Sequence, residues 1–96
     1  MRTVYVVAYD IADPARWRRV YRKMRGYGDR VQYSVFRCEL NPLERMQLED
    51  SLGPLLDKRK DQVLIVPLGP PRGRYDSAIS SLGRPYNDPE RRVVVV

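Results

Sequence analysis

The fold is decided by residues 3–25, which read TVYVVAYDIADPARWRRVYRKMR. Within this stretch the pattern of apolar residues changes from that of a strand to that of a helix. The first seven residues are apolar on both faces and mostly β-branched or aromatic, a pattern typical of a buried central strand. The run stops at Asp10. Asp13 followed by Pro14 then predicts a helix start, because Asp caps free backbone N–H groups and Pro is tolerated at the first helical position. A strand that leads directly into a helix is thus the first unit of the fold.

The helix predicted from Pro14 to about Arg25 has one apolar face and one basic face. The apolar residues follow helical spacing and are expected in the core: Trp17, Val20, Tyr21 and Met24. The remaining arc carries six cations and no acidic residue: Arg16, Arg18, Arg19, Arg22, Lys23 and Arg25. Six like charges repel one another unless an anion is bound, so this face favours polyanion binding over a purely solvated surface.

Four further elements follow this helix. Arg30–Leu40 is predicted to be extended. Near Ser34 the apolar residues switch from one set of alternate positions to the other, which predicts a bulge or a bend between two short strands. Asn41–Glu44 predicts a capping box that opens a second helix, which Gly53-Pro54 should end or kink. Gln62–Leu68 predicts a second buried strand.

This order predicts an α+β fold, a ferredoxin-like βαββαβ sandwich in a single domain of residues 1–96. Arg74–Ile79 is compatible with an additional strand, and residues 80–96 end in the four valines Val93–Val96. An exposed valine strand is prone to aggregation, so we expect this C-terminal strand to pair with its own sheet or with that of a second protomer; both alternatives stay open. A domain this small buries little surface, and we therefore also expect a homodimer.

The charge and the rare side chains limit the possible chemistry. The chain has 18 Lys and Arg against 12 Asp and Glu, and residues 1–40 hold nine of the basic but only four of the acidic residues. With no His and a single Cys, imidazole catalysis, an internal disulfide and the usual Cys/His zinc sites are excluded. Catalysis would have to use carboxylates, hydroxyls or Arg, together with a hard cation such as Mg²⁺.

The sequence predicts a soluble, cytoplasmic protein without membrane association. The single cysteine, Cys38, fits a reducing compartment. The N-terminal apolar stretch Val4–Ala8 is shorter than the core of a signal peptide. No stretch approaches the ~18 apolar residues that a membrane span needs.

Asp10 is the candidate metal ligand, because it follows a central strand at a point where a carboxylate reaches solvent. The alternative is a turn residue that precedes the helix cap at Asp13, and position alone favours this alternative. A single carboxylate rarely fixes a metal ion. Two Asp10 side chains related by a dimer axis can share one.

Several short motifs occur in a characteristic order: Tyr9-Asp10-Ile11, Asp13, the basic cluster through Arg19, the block YGDRVQYSVF over residues 27–36, Asp61-Gln62-Val63 and Ser81-Leu82-Gly83. Together they resemble the CRISPR-associated protein two family, and the resemblance spans essentially the whole chain. Its most specific part runs from Gly28 to Phe36, about 20 residues after the first motif. The chain departs from the family pattern at Trp17, where many members carry Arg.

The resemblance implies a ferredoxin-like homodimer that bridges two dimers of the CRISPR integrase subunit during capture and integration of new spacers. It also implies a Mg²⁺-dependent endonuclease that acts on single-stranded RNA or double-stranded DNA. The family's metal-binding Asp corresponds to Asp10, and its basic residues in nucleic-acid contact or cleavage correspond to Arg19 and Arg30. Its strand aromatic corresponds to Phe36, a structural residue near the site together with Tyr9.

Three functions are compatible with these features. In an enzyme, Asp10 of each protomer holds one Mg²⁺ (or Mn²⁺) shared at the dimer axis, and Arg19 or Arg30 stabilises charge at the phosphate. In a scaffold, the basic helix face and Arg30 bind duplex backbone without sequence preference. A generic RNA- or DNA-binding ferredoxin-like domain without catalysis would need exposed aromatics on its sheet. The sequence favours the adaptation scaffold, with endonuclease activity as an addition.

Overall fold

The computed structural model of the protein describes residues 1–71 and 79–86. This part of the chain contains four strands, two helices and one 3₁₀ turn. In chain order they are β1 Thr3–Asp10, α1 Pro14–Met24, β2 Gly28–Gln32, β3 Val35–Leu40, α2 Pro42–Leu52, the 3₁₀ turn Gly53–Leu55 and β4 Gln62–Gly69. The predicted βαββαβ order is confirmed.

The four strands form one antiparallel sheet in the order β2-β3-β1-β4. β1 is central: its Val7 pairs with Phe36 of β3 on one side and with Ile65 of β4 on the other. This is the strand order of a ferredoxin-like sandwich, so the predicted fold class is confirmed. Because β1 is hydrogen-bonded along both edges, a side chain at its end is held by a rigid support.

Both helices begin where their caps predict. The Asp13 side chain accepts a hydrogen bond of 2.9 Å from the backbone N–H of Arg16. At α2, the Asn41 side chain accepts from the Glu44 backbone N–H (2.8 Å), and the Glu44 carboxylate accepts from the Asn41 backbone N–H (2.9 Å). This reciprocal pair is the predicted capping box. Gly53 ends α2, and the chain continues into the 3₁₀ turn.

β2 and β3 form a hairpin with a two-residue turn at Tyr33-Ser34. This turn accounts for the predicted change in the apolar alternation near Ser34. In addition, the pairing register of β2 with β3 shifts between Arg30 and Gln32. At the start of β2, Gly28 lies so close to the Arg37 carbonyl of β3 that a side chain has no room there. The close approach fixes the hairpin, and with it the position of its turn beside β1.

The core lies between the two helices and one face of the sheet. Val20 and Met24 of α1 are fully buried, as their helical spacing predicts, and Leu48 of α2 is fully buried as well. The sheet contributes Tyr5, Val7, Tyr9, Phe36, Cys38 and Leu40 to this core. Trp17 and Tyr21 were expected in the core too, but they pack at its rim and are only partly buried. The apolar stripe of α1 thus extends from the core to the surface.

The opposite face of the sheet is partly open to solvent. Leu64 and Val66 of β4 are 50 % and 45 % exposed. Val6, Ala8 and Val35 lie on the same face, since they alternate with core residues along β1 and β3, and they are partly buried. We call these five residues the open sheet face. Exposure of apolar side chains to water is unfavourable. Covering this surface with another apolar surface therefore lowers the free energy.

Two predicted features fall outside the described residues: most of the strand Arg74–Ile79, and the valine tail Val93–Val96. Residues 79–86 contain neither helix nor strand. The pairing of residues 80–96 with a sheet therefore stays a prediction. Within residues 1–71 and 79–86, neither helix is long and apolar enough to cross a lipid bilayer.

Candidate nucleic-acid interface

One end of the sheet brings three chain segments together. Tyr9 of β1 donates its backbone N–H to the carbonyl of Ser34 in the β2–β3 turn, at 3.0 Å. On the other side of β1, Asp10 pairs with Gln62 at the start of β4. The end of β1, the hairpin turn and the start of β4 therefore form one margin of the molecule, which we call the Asp10 edge.

Asp10 is the exposed last residue of the central strand at this edge. In the part of the chain that the structure describes, no three or more His, Cys, Asp or Glu side chains are placed to hold a metal ion together. Mg²⁺ is commonly bound through one or two carboxylates and keeps several of its waters. One exposed carboxylate fits such a site only in part, and a second carboxylate would complete it.

Asp61, just before β4, is not available as that second ligand. Its side chain is fully buried and accepts two hydrogen bonds from the Arg16 guanidinium, at 2.7 and 3.2 Å. It also accepts from the backbone N–H groups of Ala12 and Asp57, at 2.9 and 2.8 Å. Each carboxylate oxygen thus accepts two bonds, which satisfies its capacity. Arg16, predicted as a nucleic-acid contact, ties the start of α1 to the start of β4 through this pair.

The same contacts predict how stability depends on pH. The Arg16 hydrogen bonds, followed by the two backbone N–H groups, hold the pKa of Asp61 well below its ordinary value. The carboxylate therefore stabilises the fold above its unfolded-state pKa of about 4, and this contribution is lost as the pH falls toward the folded-state pKa. We expect Asp61→Asn to be less stable than wild type in urea at pH 7, with a smaller difference at pH 3.

Asp50→Asn, at an exposed position of α2, is the matched control for this experiment. It removes the same charge without removing a buried hydrogen-bond acceptor, so its unfolding midpoint should stay near that of wild type at both pH values. If Asp61→Asn lost as much stability at pH 3 as at pH 7, the stabilising role of the ionised Asp61 carboxylate would be contradicted.

Three aromatic rings form a near-parallel stack at the Asp10 edge. The ring centroids of Trp17 and Tyr33 are 4.5 Å apart with planes inclined by 15°, and those of Trp17 and Tyr21 are 5.2 Å apart with planes inclined by 7°. The Trp17 indole N–H donates to the Ser34 hydroxyl oxygen at 2.8 Å, which attaches the stack to the hairpin turn. Helical spacing predicts that Trp17 meets Tyr21, but Tyr33 comes from the turn and was not predicted as a site residue.

Arg30 of β2 lies beside this stack. Its Cζ is 5.3 Å from the ring centroid of Tyr21 and 5.6 Å from that of Tyr33. Attraction between the cation and the ring faces orients the guanidinium there. Arg25 also approaches Tyr21, with its Cζ 5.9 Å from the centroid. Arg30, predicted as a site residue, is thus held at the hairpin end of the Asp10 edge.

Arg18 of α1 lines a cleft at the same edge. The cleft has a volume of about 330 Å³ and is lined by Ile11, Ala12, Pro14, Trp17, Arg18 and Tyr33. Its described lining combines aromatic and aliphatic walls with the Arg18 cation. Arg18 and Arg30, both predicted from the sequence as nucleic-acid contacts, thus lie at the Asp10 edge.

Tyr9 and Phe36 lie beneath the site. Tyr9 is 5 % exposed, Phe36 is fully buried, and their ring centroids are 6.2 Å apart. Burial raises the pKa of the Tyr9 hydroxyl to about 12. The group stays neutral near pH 7 and cannot serve as a general base there. Both rings belong to the core, and the structural role predicted for them near the site stays a prediction.

The other α1 cations face a second cleft. Arg19, Arg22 and Lys23 are exposed and line it together with Gly26, Tyr27 and Leu55, between α1 and the 3₁₀ turn. The volume of this cleft is about 670 Å³. The predicted combination of Asp10, Arg19 and Arg30 is thus divided, with Arg19 lining a different surface from the cleft at the Asp10 edge.

Comparison with known proteins agrees with these features. A model of the CRISPR associated protein Cas2 family matches residues 1–72. A Rhodospirillum rubrum protein named CRISPR-associated endoribonuclease Cas2 1 is 46 % identical over 92 residues, which cover 96 % of this chain and 89 % of that protein. A Geobacter sulfurreducens protein named CRISPR-associated endoribonuclease Cas2 is 34 % identical over 96 residues, and both chains are covered completely.

Solved structures agree as well. The crystal structure of Streptococcus pyogenes Cas2 at pH 6.5 superposes with a TM-score of 0.73 at 30 % identity, covering 83 % of this chain and 99 % of the other. A hypothetical protein from Thermus thermophilus gives a TM-score of 0.76 at 32 % identity, with 88 % and 95 % covered. The resemblance inferred from the motifs is confirmed, and the chain belongs to the CRISPR-associated protein Cas2 family.

Proposed function

We propose that this protein acts in CRISPR adaptation as a homodimeric, nucleic-acid-binding scaffold for the integrase subunit, and that it also cleaves RNA or DNA with the help of Mg²⁺ at Asp10. Membership of the Cas2 family and the endoribonuclease names of the R. rubrum and G. sulfurreducens relatives support this. The observation that carries the proposal is the placement of one exposed carboxylate and two arginines, Arg18 and Arg30, on one edge.

In the proposed dimer, a second copy of the chain covers the open sheet face. This face exposes Leu64 and Val66 beside further aliphatic side chains of β1 and β3. Covering it removes apolar surface from water, which is the main driving force for association of small domains. A second copy also supplies the second Asp10 that a Mg²⁺ ion needs. The proposal therefore requires the dimer for both scaffolding and cleavage.

Light scattering tests this step. We expect about twice the 11.3 kDa chain mass at micromolar concentration, and a shift toward the monomer when Leu64→Arg and Val66→Arg place charges on the open sheet face. Leu43→Arg is the matched control, because Leu43 is 56 % exposed but lies on α2, on the other side of the sheet. The proposed dimer would be contradicted if the wild-type protein remained monomeric. It would also be contradicted if the Leu43→Arg control alone lost the dimer.

The side chains of the Asp10 edge have distinct roles in the proposed cleavage. Asp10 of each protomer would ligate a shared Mg²⁺ or Mn²⁺. When bound, such an ion lowers the pKa of coordinated water and offsets the negative charge of a phosphate. Arg30, oriented by Tyr21 and Tyr33, donates hydrogen bonds to a phosphate oxygen at this edge. Arg18 offers a second cation from the neighbouring cleft.

The second cleft supplies the scaffold surface in this proposal. Arg19, Arg22 and Lys23 are exposed there and bind the phosphate backbone of a duplex without reading its bases. Arg16 is left out of this set, because its guanidinium is bound to Asp61. A generic RNA-binding ferredoxin-like domain would need aromatics on the sheet surface. The open sheet face carries aliphatic side chains instead, which favours the adaptation protein over that alternative.

A further inference from the structure

Tyr33 combines two properties: it is 66 % exposed, and its ring packs against other side chains. Its ring lies 4.5 Å from that of Trp17 and nearly parallel to it. Trp17 is in turn fixed by its hydrogen bond to Ser34 and by its stacking on Tyr21. Because the ring is already ordered, a ligand that stacks on it loses little further conformational entropy on binding.

The space next to Tyr33 has the size and lining of a small-molecule or single-residue subsite. The cleft of about 330 Å³ lies at the lower end of the range for ligand pockets. Trp17 and Tyr33 form its aromatic wall, and Ile11, Ala12 and Pro14 form its aliphatic wall. A flat, weakly polar ring fits such walls better than a flexible chain does.

The charges around the ring select an anionic ligand. Arg18 lines the cleft, and the Arg30 guanidinium lies 5.6 Å from the Tyr33 centroid. Among residues 1–71 and 79–86, those that line this cleft include no acidic residue. An aromatic ring carried on a phosphate backbone, which is a nucleotide in a polynucleotide chain, satisfies both the walls and the cations. In a duplex both faces of an internal base are already stacked, so along the length of a strand an unpaired base is the one that can use the ring of Tyr33.

We propose that Tyr33 is a stacking platform for one unpaired base of a single-stranded nucleic acid, with Arg18 and Arg30 binding the adjacent phosphates. The inference rests on the proposed nucleic-acid binding and adds a site that selects single-stranded over paired substrate at the Asp10 edge. It also gives Trp17 a function, since this side chain supports the platform from below. Stacking of one base on an aromatic side chain changes affinity by about tenfold or more.

The test uses an RNA oligonucleotide with one 2-aminopurine and a blunt DNA duplex, each titrated with wild type and with four variants. Tyr33→Ala removes the platform. Tyr33→Leu keeps an apolar cover over Trp17 without an aromatic ring, and Tyr33→Phe keeps the ring. Met46→Ala is the matched control, because Met46 is 52 % exposed on α2, away from the stack. Thermal unfolding of each variant reports whether the fold is retained.

We expect the 2-aminopurine fluorescence to be quenched by wild type, Tyr33→Phe and Met46→Ala. Tyr33→Ala and Tyr33→Leu should bind the single strand about tenfold more weakly and lose clearly less affinity for the duplex, which the exposed cations of the second cleft bind in the proposed function. The stacking proposal would be contradicted if Tyr33→Leu bound the single strand as tightly as wild type does. It would also be contradicted if the Tyr33 variants lost equal affinity for the single strand and for the duplex. Wild type that binds neither would instead overturn the proposed function, so the duplex titration separates the two failures.

Discussion

Replacing Arg19, Arg22 and Lys23 together by Gln is expected to weaken duplex binding strongly and to flatten its dependence on salt. The three side chains are exposed and line the second cleft. Each phosphate contact that is lost lowers the slope of log K against log salt by about 0.9. If all three bind phosphate, the slope falls by up to about 2.7. The affinity at low salt should fall by about tenfold or more, since hydrogen bonds to charged groups are among the stronger ones.

The matched control replaces Lys58, Arg59 and Lys60 by Gln. These three cations are exposed in the loop before β4, so the control removes the same total charge from a different place. Fluorescence titration of a labelled blunt duplex at several salt concentrations gives both slopes. A general effect of net charge would change both variants equally, and that outcome would mean that the α1 cations are only a solvated surface.

Most of the fold could be predicted because its signals are local. The β1 pattern, the cap at Asp13 and the capping box at Asn41 each depend on a few neighbouring residues, and the structure confirms all three. The turn at Tyr33-Ser34 was visible as a change in the apolar alternation, although a bend and a bulge were equally compatible with it. Local periodicity specifies elements well because hydrogen bonding and burial repeat within them.

Much of the site could not be predicted, because it depends on contacts between residues that are distant in sequence. Arg16 and Asp61 are 45 residues apart, and only the pairing of β4 with β1 brings them together. Arg16 therefore looked like one more cation of the basic helix face. Tyr33 meets Trp17 only because the hairpin turn lies beside the end of β1. Strand register fixes both contacts, and it depends on the apolar patterns of two paired strands, which lie far apart in the sequence, and on the turn between them.

Asp10→Asn is expected to abolish cleavage while leaving the dimer and nucleic-acid binding intact. Asn preserves the size and shape of the side chain at the end of β1 but removes one negative charge from each protomer. Mg²⁺ prefers anionic oxygen ligands, so its affinity for the site should fall sharply. Removing two like charges next to a phosphate backbone should leave binding equal or make it tighter. The cleavage rate should thus fall to that of the sample without metal.

Asp50→Asn again serves as the control, since it removes the same charge from an exposed position on α2. It should cleave and bind as wild type does. Binding and dimer mass, measured on the same protein samples, show whether a loss of cleavage reflects the chemistry or the assembly.

The most direct measurement is the initial cleavage rate of single-stranded RNA and of duplex DNA by wild type and Asp10→Asn, prepared side by side free of other nucleases. Each is measured with Mg²⁺ and with EDTA. We expect Mg²⁺-dependent cleavage of at least one substrate by wild type, and none by Asp10→Asn at equal binding. Cleavage by Asp10→Asn at the wild-type rate would contradict the assignment of Asp10 as the metal ligand of an endonuclease.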